Sequence, residues 1–148
     1  MIALIQRVDK GKVVTSNQTF SEIEHGYVIL LGIFKKDSDK DVVKLIDKVI
    51  NLRIMSDEQG KMNKSIIETG EQILVVSQFT LAADLEGGRR PSFTKAMEPV
   101  EAEKFYDLFV EKLKEKNIDV KTGKFGESMQ VQIFNDGPVT ILMDSNKI

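Results

Sequence analysis

The alternation of apolar and polar residues predicts several short strands in the first half of the chain. Met1 to Val8 has the pattern of a strand, and Gly11 to Thr15 that of a second strand after the turn residues Asp9-Lys10-Gly11. Tyr27 to Phe34 is an apolar run that is too short for a typical helix and rich in strand formers. Gln72 to Leu81 gives the strongest strand pattern of the sequence. Sheet is therefore the dominant prediction for these segments.

Two other segments have helical periodicity. Ser38 is a suitable N-cap, followed by Asp39 and Asp41 in the first turn of a helix. A second helix is predicted to begin at Glu98-Pro99 and to end near Asn117. The positions at helical spacing are Val42, Leu45, Ile46, Val49 and Ile50 in the first helix, and Ala102, Phe105, Tyr106, Phe109 and Leu113 in the second. Each helix is expected to bury one face.

Two further strand pairs are predicted, each around a turn rich in Asp, Asn, Gly or Pro. They are Leu52 to Ser56 with Met62 to Ile66 around Asp57-Glu58-Gln59-Gly60, and Met129 to Phe134 with Val139 to Met143 around Asn135-Asp136-Gly137-Pro138. Short connections favour antiparallel pairing. The expected fold is α+β, with mainly antiparallel sheets in a barrel-like or β/β/α layered arrangement and two main helices. Strand edges left free by such a fold favour a homodimer.

The composition narrows the possible functions. At 148 residues with 41% hydrophobic content, the chain fits a single domain over residues 1–148. Lys and Arg number 21 against 23 Asp and Glu, so the overall charge does not indicate a nucleic-acid-binding protein. The sequence contains neither a signal-peptide pattern nor a run of about 18 apolar residues. We therefore expect a cytoplasmic protein with no membrane partner.

The residue types exclude several kinds of chemistry. Cysteine is absent and histidine occurs once, as His25, which is best interpreted as a solvated turn residue. A Ser-His-Asp triad would have to use this histidine, and one imidazole without thiols cannot build a histidine-rich zinc site. The glycines match neither the P-loop nor the dinucleotide-binding pattern. An acidic magnesium site remains open, but no carboxylate cluster stands out, so no metal and no cofactor are expected.

Three segments are open to both a structural and a functional interpretation. The polar residues within Ser77 to Leu81 either satisfy backbone groups at a strand end or form a polar wall for a ligand. Asn135 to Thr140 is either a tight turn or a Gly-Pro unit that presents its carbonyl oxygens to a ligand. Arg89 and Arg90 lie in a loop that is either solvated or contacts phosphates.

Taken together, Ser77-Gln78-Phe79-Thr80-Leu81 and Asn135-Asp136-Gly137-Pro138-Val139-Thr140 resemble the two signature motifs of the D-aminoacyl-tRNA deacylase family. The resemblance covers essentially the whole chain, and its supporting stretches are Gln6-Arg7-Val8, Asn51-Leu52-Arg53-Ile54, Gly60-Lys61-Met62-Asn63 and Gly88-Arg89-Arg90-Pro91-Ser92-Phe93. It implies an enzyme that hydrolyses the ester bond of D-aminoacyl-tRNA and releases D-amino acid and free tRNA. Glycyl-tRNA mischarged on tRNA-Ala is implied as a further substrate.

The resemblance also implies a homodimer with active sites at the subunit interface. The Gly137-Pro138 unit of one subunit, with a cis bond, would enter the site of the other, hold the amino group of the substrate and exclude L-amino acids. Arg7 would hold this unit in place. The remaining implied site residues are Ser77, Gln78, Phe79 and Thr80 on the facing wall, Ala102 and Met129 in the pocket, and Arg89 and Arg90 against the acceptor end of tRNA. The backbone amide of Phe79 would polarise the ester carbonyl.

Two mechanisms and one other class of function remain open. In the mechanism that the resemblance implies, the 2′-hydroxyl of the terminal adenosine assists water, and positioning supplies much of the acceleration of an already activated ester. Covalent attack by Thr80 is the rival mechanism, although no activating partner for its hydroxyl is evident. The other class is a non-catalytic dimeric module that binds an amino compound or an RNA end.

Overall fold

The computed structural model of the chain describes residues 1–16 and 18–148. Its strands are β1 (Ile2–Thr15), β2 (Gln18–Ile23), β3 (Gly26–Gly32), β4 (Met55–Ser56), β5 (Met62–Lys64), β6 (Gln72–Ser77), β7 (Val120–Thr122) and β8 (Gln130–Asp144). Its helices are α1 (Asp39–Asn51), α2 (Ile66–Thr69) and α3 (Pro99–Lys114), and a 3₁₀ turn (Phe79–Ala82) follows β6. The predicted α+β fold with two main helices is confirmed. Within the described residues, no helix has the length and apolar character needed to span a bilayer.

β1 organises the sheet because it pairs along both of its edges. One edge pairs antiparallel with β8, and the other pairs antiparallel with β3 and then β2. β3 pairs with β6, and β6 with β7, in parallel. The outer strands of this path approach each other, since the Ser21 hydroxyl on β2 donates a 2.6 Å hydrogen bond to the Thr122 carbonyl on β7. The sheet is therefore a nearly closed, mainly antiparallel barrel, as predicted.

The turn predicted at Asp9-Lys10-Gly11 is wrong, because these residues lie within the continuous strand β1. Val8 pairs with Asn135 and Lys10 with Phe134, so Asp9 is one extra residue opposite β8. Such a bulge bends and twists a strand without ending it. Along β1 the buried side chains point to different cores: those of Ala3 and Ile5 pack under the helices, and those of Val8 and Val13 lie inside the barrel. The turn-type residues therefore mark a bulge.

Two apolar clusters hold the fold together. The barrel interior contains Val8, Val13, Ile23, Val28, Leu74 and Val76. The larger cluster lies between the outer face of the sheet and α1 and α3, and its fully buried members include Ile5, Ile29, Leu45, Ile73, Phe109 and Leu113. These are the positions at strand and helical spacing, so burial of about 25 cal/mol per Å² of apolar surface explains why the chain adopts these elements.

α1 is fixed at its N-terminus by the predicted cap. The Ser38 amide donates to Asp41 Oδ2 over 2.9 Å, and the Ser145 hydroxyl after β8 donates to Asp41 Oδ1 over 2.8 Å. Although burial acts to raise the pKa of Asp41, hydrogen bonds from Ser145 and Ser38 lower it to about 2. The cap therefore joins the start of α1 to the end of β8.

Candidate active site

The polar wall predicted from the sequence begins where β6 ends. The apolar residues of β6 are buried, and the ladder that β6 forms with β3 ends at Ser77, which pairs with Leu31. The strand predicted to run to Leu81 is therefore too long. The Gln78 amide still donates to the Leu31 carbonyl over 2.8 Å, after which the chain turns into the 3₁₀ segment. The wall is thus a strand end followed by a tight turn.

A cavity of about 550 Å³ lies against this strand end. It brings together five of the residues predicted for the site, namely Ser77, Gln78, Phe79, Ala102 and Met129. Thr80 is placed differently: its side chain is exposed outside the cavity lining, and its hydroxyl accepts a hydrogen bond from Nε2 of the Gln78 side chain. The cavity is the right size for a small-molecule moiety such as the end of a nucleotide chain.

Several apolar residues that line this cavity are not predicted from the sequence to belong to the site. Phe93, Met97 and Phe125 line it, and the Phe93 ring packs edge-on against Phe79 with centroids 5.0 Å apart. None of the three lies in a strand or helix, so no periodic pattern points to them. The available signal was chemical, since aromatic residues in polar loops often serve a binding surface.

α3 holds the cavity against the barrel through Tyr106. Its hydroxyl donates to the Val75 carbonyl over 2.8 Å, and its ring packs against that of Phe125 with the two centroids 5.6 Å apart. The same carbonyl also accepts a 2.7 Å hydrogen bond from the Gly123 amide. Burial raises the pKa of Tyr106, so the phenol stays neutral and serves as a donor. This contact lies two residues before Ser77 and fixes the end of β6.

The second predicted segment is a bulge in β8, and the predicted hairpin turn is wrong. Asn135 pairs with Val8 and Thr140 with Gln6, so four residues of β8 face only Arg7 on β1. Turn-type residues here insert extra backbone into a strand whose two halves both pair with β1. The Asn135 side chain closes the bulge, accepting from the Val139 amide over 2.8 Å and donating to the Val139 carbonyl over 3.2 Å.

At the tip of this bulge, the Gly137-Pro138 peptide bond is cis and both residues are exposed. Gly137 has a φ of 124°, a conformation that residues with a Cβ rarely adopt. A methyl group added there would lie 3.3 Å from Arg7 Nη2, so the guanidinium lies directly against the glycine. The unit is therefore presented to the outside from a fixed base.

Arg7 is the buried centre of this base, with a residue exposure of 8%. Its Nη1 donates to the Ile54 carbonyl over 2.7 Å, just before the β4-β5 hairpin. Its Nε lies 2.7 Å from Asp136 Oδ2, next to the Gly-Pro unit. Guanidinium groups suit this role because they offer several donors in a rigid plane. The predicted proximity of Arg7 to Gly137-Pro138 is present in the structure.

The Gly-Pro unit and the cavity lie apart within one chain. Arg7 pairs with Tyr27, which pairs with Ile73, whereas the cavity begins three residues later on β6 at Val76. At about 3.3 Å per residue, three residues of strand span roughly 10 Å. Neither Gly137 nor Pro138 lines the cavity. One chain therefore carries the two predicted halves of the site at different ends of its strands.

The remaining predicted residues lie outside the cavity. Arg89 and Arg90 are exposed in the loop that Asp84 and Ser92 close with reciprocal backbone hydrogen bonds of 2.8 and 2.9 Å. Arg90 also lines a shallow cleft of about 420 Å³ in this loop. His25 is an exposed turn residue whose Nδ1 lies 3.3 Å from Asp9 Oδ1. The histidine is therefore remote from the polar wall, as its turn position suggested.

Comparison with known proteins gives a consistent result. Residues 4–144 match the family model described as D-Tyr-tRNA(Tyr) deacylase. A D-aminoacyl-tRNA deacylase from Thermodesulfovibrio yellowstonii is 54% identical over 145 residues, which cover 98% of this chain and 99% of the relative. One from Thermoanaerobacter sp. is 48% identical over 148 residues, with 100% and 99% coverage.

Two solved structures are similar over nearly the whole chain. The c-Myc DNA unwinding element binding protein superposes with a TM-score of 0.92 at 41% identity, covering 97% of this chain and 98% of that one. A probable eukaryotic D-amino acid tRNA deacylase superposes with a TM-score of 0.82 at 17% identity, covering 96% and 97%. The second likeness concerns the fold alone.

Proposed function

Since this chain belongs to the D-Tyr-tRNA(Tyr) deacylase family and is thus a hydrolase of D-aminoacyl-tRNA, we propose a site and a mechanism for that hydrolysis. The site forms in a homodimer, where the Gly137-Pro138 unit of one subunit enters the cavity at Ser77 to Phe79 of the other. The observation that carries this proposal is the separation of the two half-sites within one chain. The exposed unit on its fixed base supports it further.

In this dimer the two halves have separate tasks. The carbonyl oxygens of Gly137 and Pro138 accept hydrogen bonds from the substrate amino group, and their position leaves room for a D side chain or for glycine only. The absence of a side chain in glycine fits this exclusion, and the family resemblance implies glycyl-tRNA mischarged on tRNA-Ala as a second substrate. Ser77, Gln78 and Phe79 hold the ester and the terminal adenosine. Selection for one hand thus comes from backbone atoms and steric exclusion.

The Phe79 amide is the proposed donor to the developing oxyanion. Phe79 is the first residue of the 3₁₀ turn, and the first N–H groups of a helical turn have no partner within it. A preorganised donor of this kind contributes about 3 to 4 kcal/mol in other hydrolases. The 2′-hydroxyl of the terminal adenosine assists the attacking water. This mechanism needs neither a catalytic histidine nor a Ser-His-Asp triad. Among the described residues, His25 does not line the cavity.

Thr80 is not required as a nucleophile in this mechanism. Its hydroxyl already accepts a hydrogen bond from Gln78, and it lies outside the cavity lining. A hydroxyl without a neighbouring base is a poor nucleophile. Thr80→Ala should therefore keep at least about a third of the wild-type kcat, and a loss of more than about a thousandfold would establish the covalent route.

The first experiment compares hydrolysis of D-tyrosyl-tRNA and L-tyrosyl-tRNA by the purified protein. Loss of the D ester alone is the expected result. Tight binding of both without turnover would identify a non-catalytic module for an amino compound or RNA end. Hydrolysis of both esters at similar rates would contradict the proposed selection by the Gly-Pro unit.

A subunit-mixing experiment then tests the shared site. Pro138→Ala damages the unit, and Ala102→Phe fills the cavity, so each homodimer should be nearly inactive. In a mixed dimer one site has an intact unit and an intact cavity. A one-to-one mixture that exchanges subunits freely should recover about a quarter of wild-type activity, because half of the dimers have one working site of two. No recovery after demonstrated exchange would mean that each site forms within one chain.

A further inference from the structure

A second carboxylate, Glu71, lies at the end of the sheet where Arg7 is held. Glu71 stands between Gly70, which ends α2 in a left-handed conformation, and Gln72, which begins β6. Gln72 pairs with Gly26, and Gly26 pairs with Val8, the residue next to Arg7. The barrel therefore brings Glu71 to the same end of the sheet as the base that carries the Gly-Pro unit.

Arg7 and Glu71 share an unusual property. Over residues 1–16 and 18–148, the buried side-chain nitrogen and oxygen atoms without a hydrogen-bond partner are Arg7 Nε and Glu71 Oε2. The Arg7 Nε atom is close to Asp136 Oδ2, at 2.7 Å, but its N–H does not point along that contact. One orphan is a donor and the other is an acceptor. Buried polar atoms are normally paired, so these two orphans need an explanation.

The charges of the surrounding groups connect the two orphan atoms. Burial raises the pKa of Glu71, while His25 and then Arg7 act to lower it and Asp136 acts to raise it. Burial likewise raises the pKa of Tyr27, and Glu71 raises it further while Arg7 opposes. The charged and titratable groups around Glu71 are therefore Arg7 on β1, His25 in the turn before β3 with its partner Asp9, Tyr27 on β3 and Asp136 on β8.

We propose that Glu71 is a positioning residue for the Gly137-Pro138 unit and acts through Arg7. Asp136, whose side chain is 41% exposed, lies 2.7 Å from Arg7 Nε, and Arg7 Nη1 is bonded to the Ile54 carbonyl. Glu71, whose Oε2 atom is buried, adds a longer-range attraction to the same guanidinium. The second, buried carboxylate fixes the plane of the guanidinium and thereby the glycine that lies against it. The inference rests on the proposed function of Gly137-Pro138.

Glu71→Gln tests this role because it removes the charge and keeps the shape. A loosened unit holds the substrate amino group less well, so KM for D-tyrosyl-tRNA should rise about fivefold while kcat stays within about twofold. The wild-type KM should fall as the pH rises through the pKa of Glu71, which burial raises above the usual range of a glutamate, and the variant should lose this dependence. The matched control is Glu24→Gln, an equal change of charge in an exposed residue at the same end of the sheet.

The stability of the variant separates positioning from a structural role. The folded-state pKa of Glu71 is raised, so its ionisation favours unfolding, and its stabilising contribution is lost as the pH rises through that pKa. Glu71→Gln should therefore melt at the same temperature as the wild type, or higher, at about pH 7.5. A higher KM in a protein of undiminished Tm supports positioning. Wild-type KM and an unchanged pH profile would overturn it.

A measurement without tRNA tests the attraction between Glu71 and Arg7 separately from the catalytic proposal. In carbon-detected NMR titrations, the pKa of the Glu71 carboxyl should rise when Arg7→Met removes the facing cation. An unchanged Glu71 pKa would overturn the contact even in an active enzyme. If the wild type hydrolyses no D-aminoacyl-tRNA, the proposed function fails, and this titration still decides whether Glu71 attracts Arg7.

Discussion

Gly32→Ala should distort the proposed site by displacing the 3₁₀ turn that follows β6. Gly32 is the last residue of β3, is buried, and faces the 3₁₀ turn that carries Phe79. A Cβ at this position would lie 2.9 Å from Leu81 Cβ and 3.4 Å from the Gln78 carbonyl oxygen. Leu81 Cβ is attached directly to the backbone, so a rotamer change cannot relieve the overlap. The turn itself has to move.

The size of the effect follows from this overlap. Carbon atoms in contact normally lie about 3.5 to 4.0 Å apart, so the turn has to shift by roughly 0.5 to 1 Å. Overpacking of this kind costs about 1 to 3 kcal/mol of folding free energy. A displacement of about 1 Å in a catalytic group can reduce the rate by about a hundredfold. Gly32→Ala should thus lose more activity than its modest loss of stability would suggest.

Urea unfolding and steady-state hydrolysis of D-tyrosyl-tRNA measure the two effects separately. Gly87→Ala is the control for stability, because nothing lies within 4 Å of the added Cβ and Gly87 has no positive φ. It should change the unfolding free energy by less than about 1 kcal/mol. A Gly32→Ala protein with wild-type kcat, despite the expected destabilisation, would refute the role of the 3₁₀ turn in the reaction. Wild-type stability would refute the overlap itself.

Three further predictions concern the cap, the cavity and the loop. Asp41→Asn should cost about 1 kcal/mol at neutral pH, less than the full pKa shift implies, because solvent screens this accessible carboxylate; because the folded pKa of Asp41 is lowered, this difference should vanish in thermal unfolding as the pH falls from 3.8 past about 2. Tyr106→Phe should cost only about 1 kcal/mol in urea unfolding, because the Val75 carbonyl keeps its hydrogen bond from a backbone amide; a loss above about 3 kcal/mol would contradict this. Replacing both Arg89 and Arg90 by Ala should weaken tRNA binding and lower its salt dependence by up to about 1.4 in log-log slope, with an unchanged preference for D over L esters; unchanged affinity at low salt would remove the loop from the interface.

The sequence allowed the elements with a clear apolar period to be predicted. α1, α3 and β6 have such a period because each buries one face or the whole strand in a single core. β2 was missed because most of its residues are exposed and polar, so no alternation is visible. β7 was missed because it has only three residues.

Both errors of strand continuity have the same physical cause. Hairpin turns and bulges need the same kinds of backbone conformation, and the same residue types adopt them. Such residues occur at Asp9 to Gly11 and at Asn135 to Pro138. What distinguishes a bulge from a hairpin turn is a partner strand that pairs on both sides, and this partner is more than 100 residues away. Local sequence does not contain that information, so both bulges were read as turns.

The candidate site was predictable to the extent that its residues carry polar groups. Ser77, Gln78 and Phe79 follow an apolar strand, and this break in pattern led to the cavity wall. Glu71 stands next to the same strand but resembles any solvated glutamate. Its significance depends on burial and on Arg7, which only the folded barrel brings near it.

The pairing of β1 with β8 also determines how late in synthesis the barrel can be completed. These strands form the longest ladder of the barrel, from Ile2 with Asp144 to Val14 with Gln130, so β1 cannot complete its pairing until β8 has been made. At roughly 10 residues per second, the ribosome needs over ten seconds to bridge that interval. β1 has a bare edge throughout this time, and such edges promote misassembly between chains. Gly137-Pro138, the proposed selecting unit, is part of the strand that covers this edge, so a newly made chain gains this unit and its protection from aggregation in the same step.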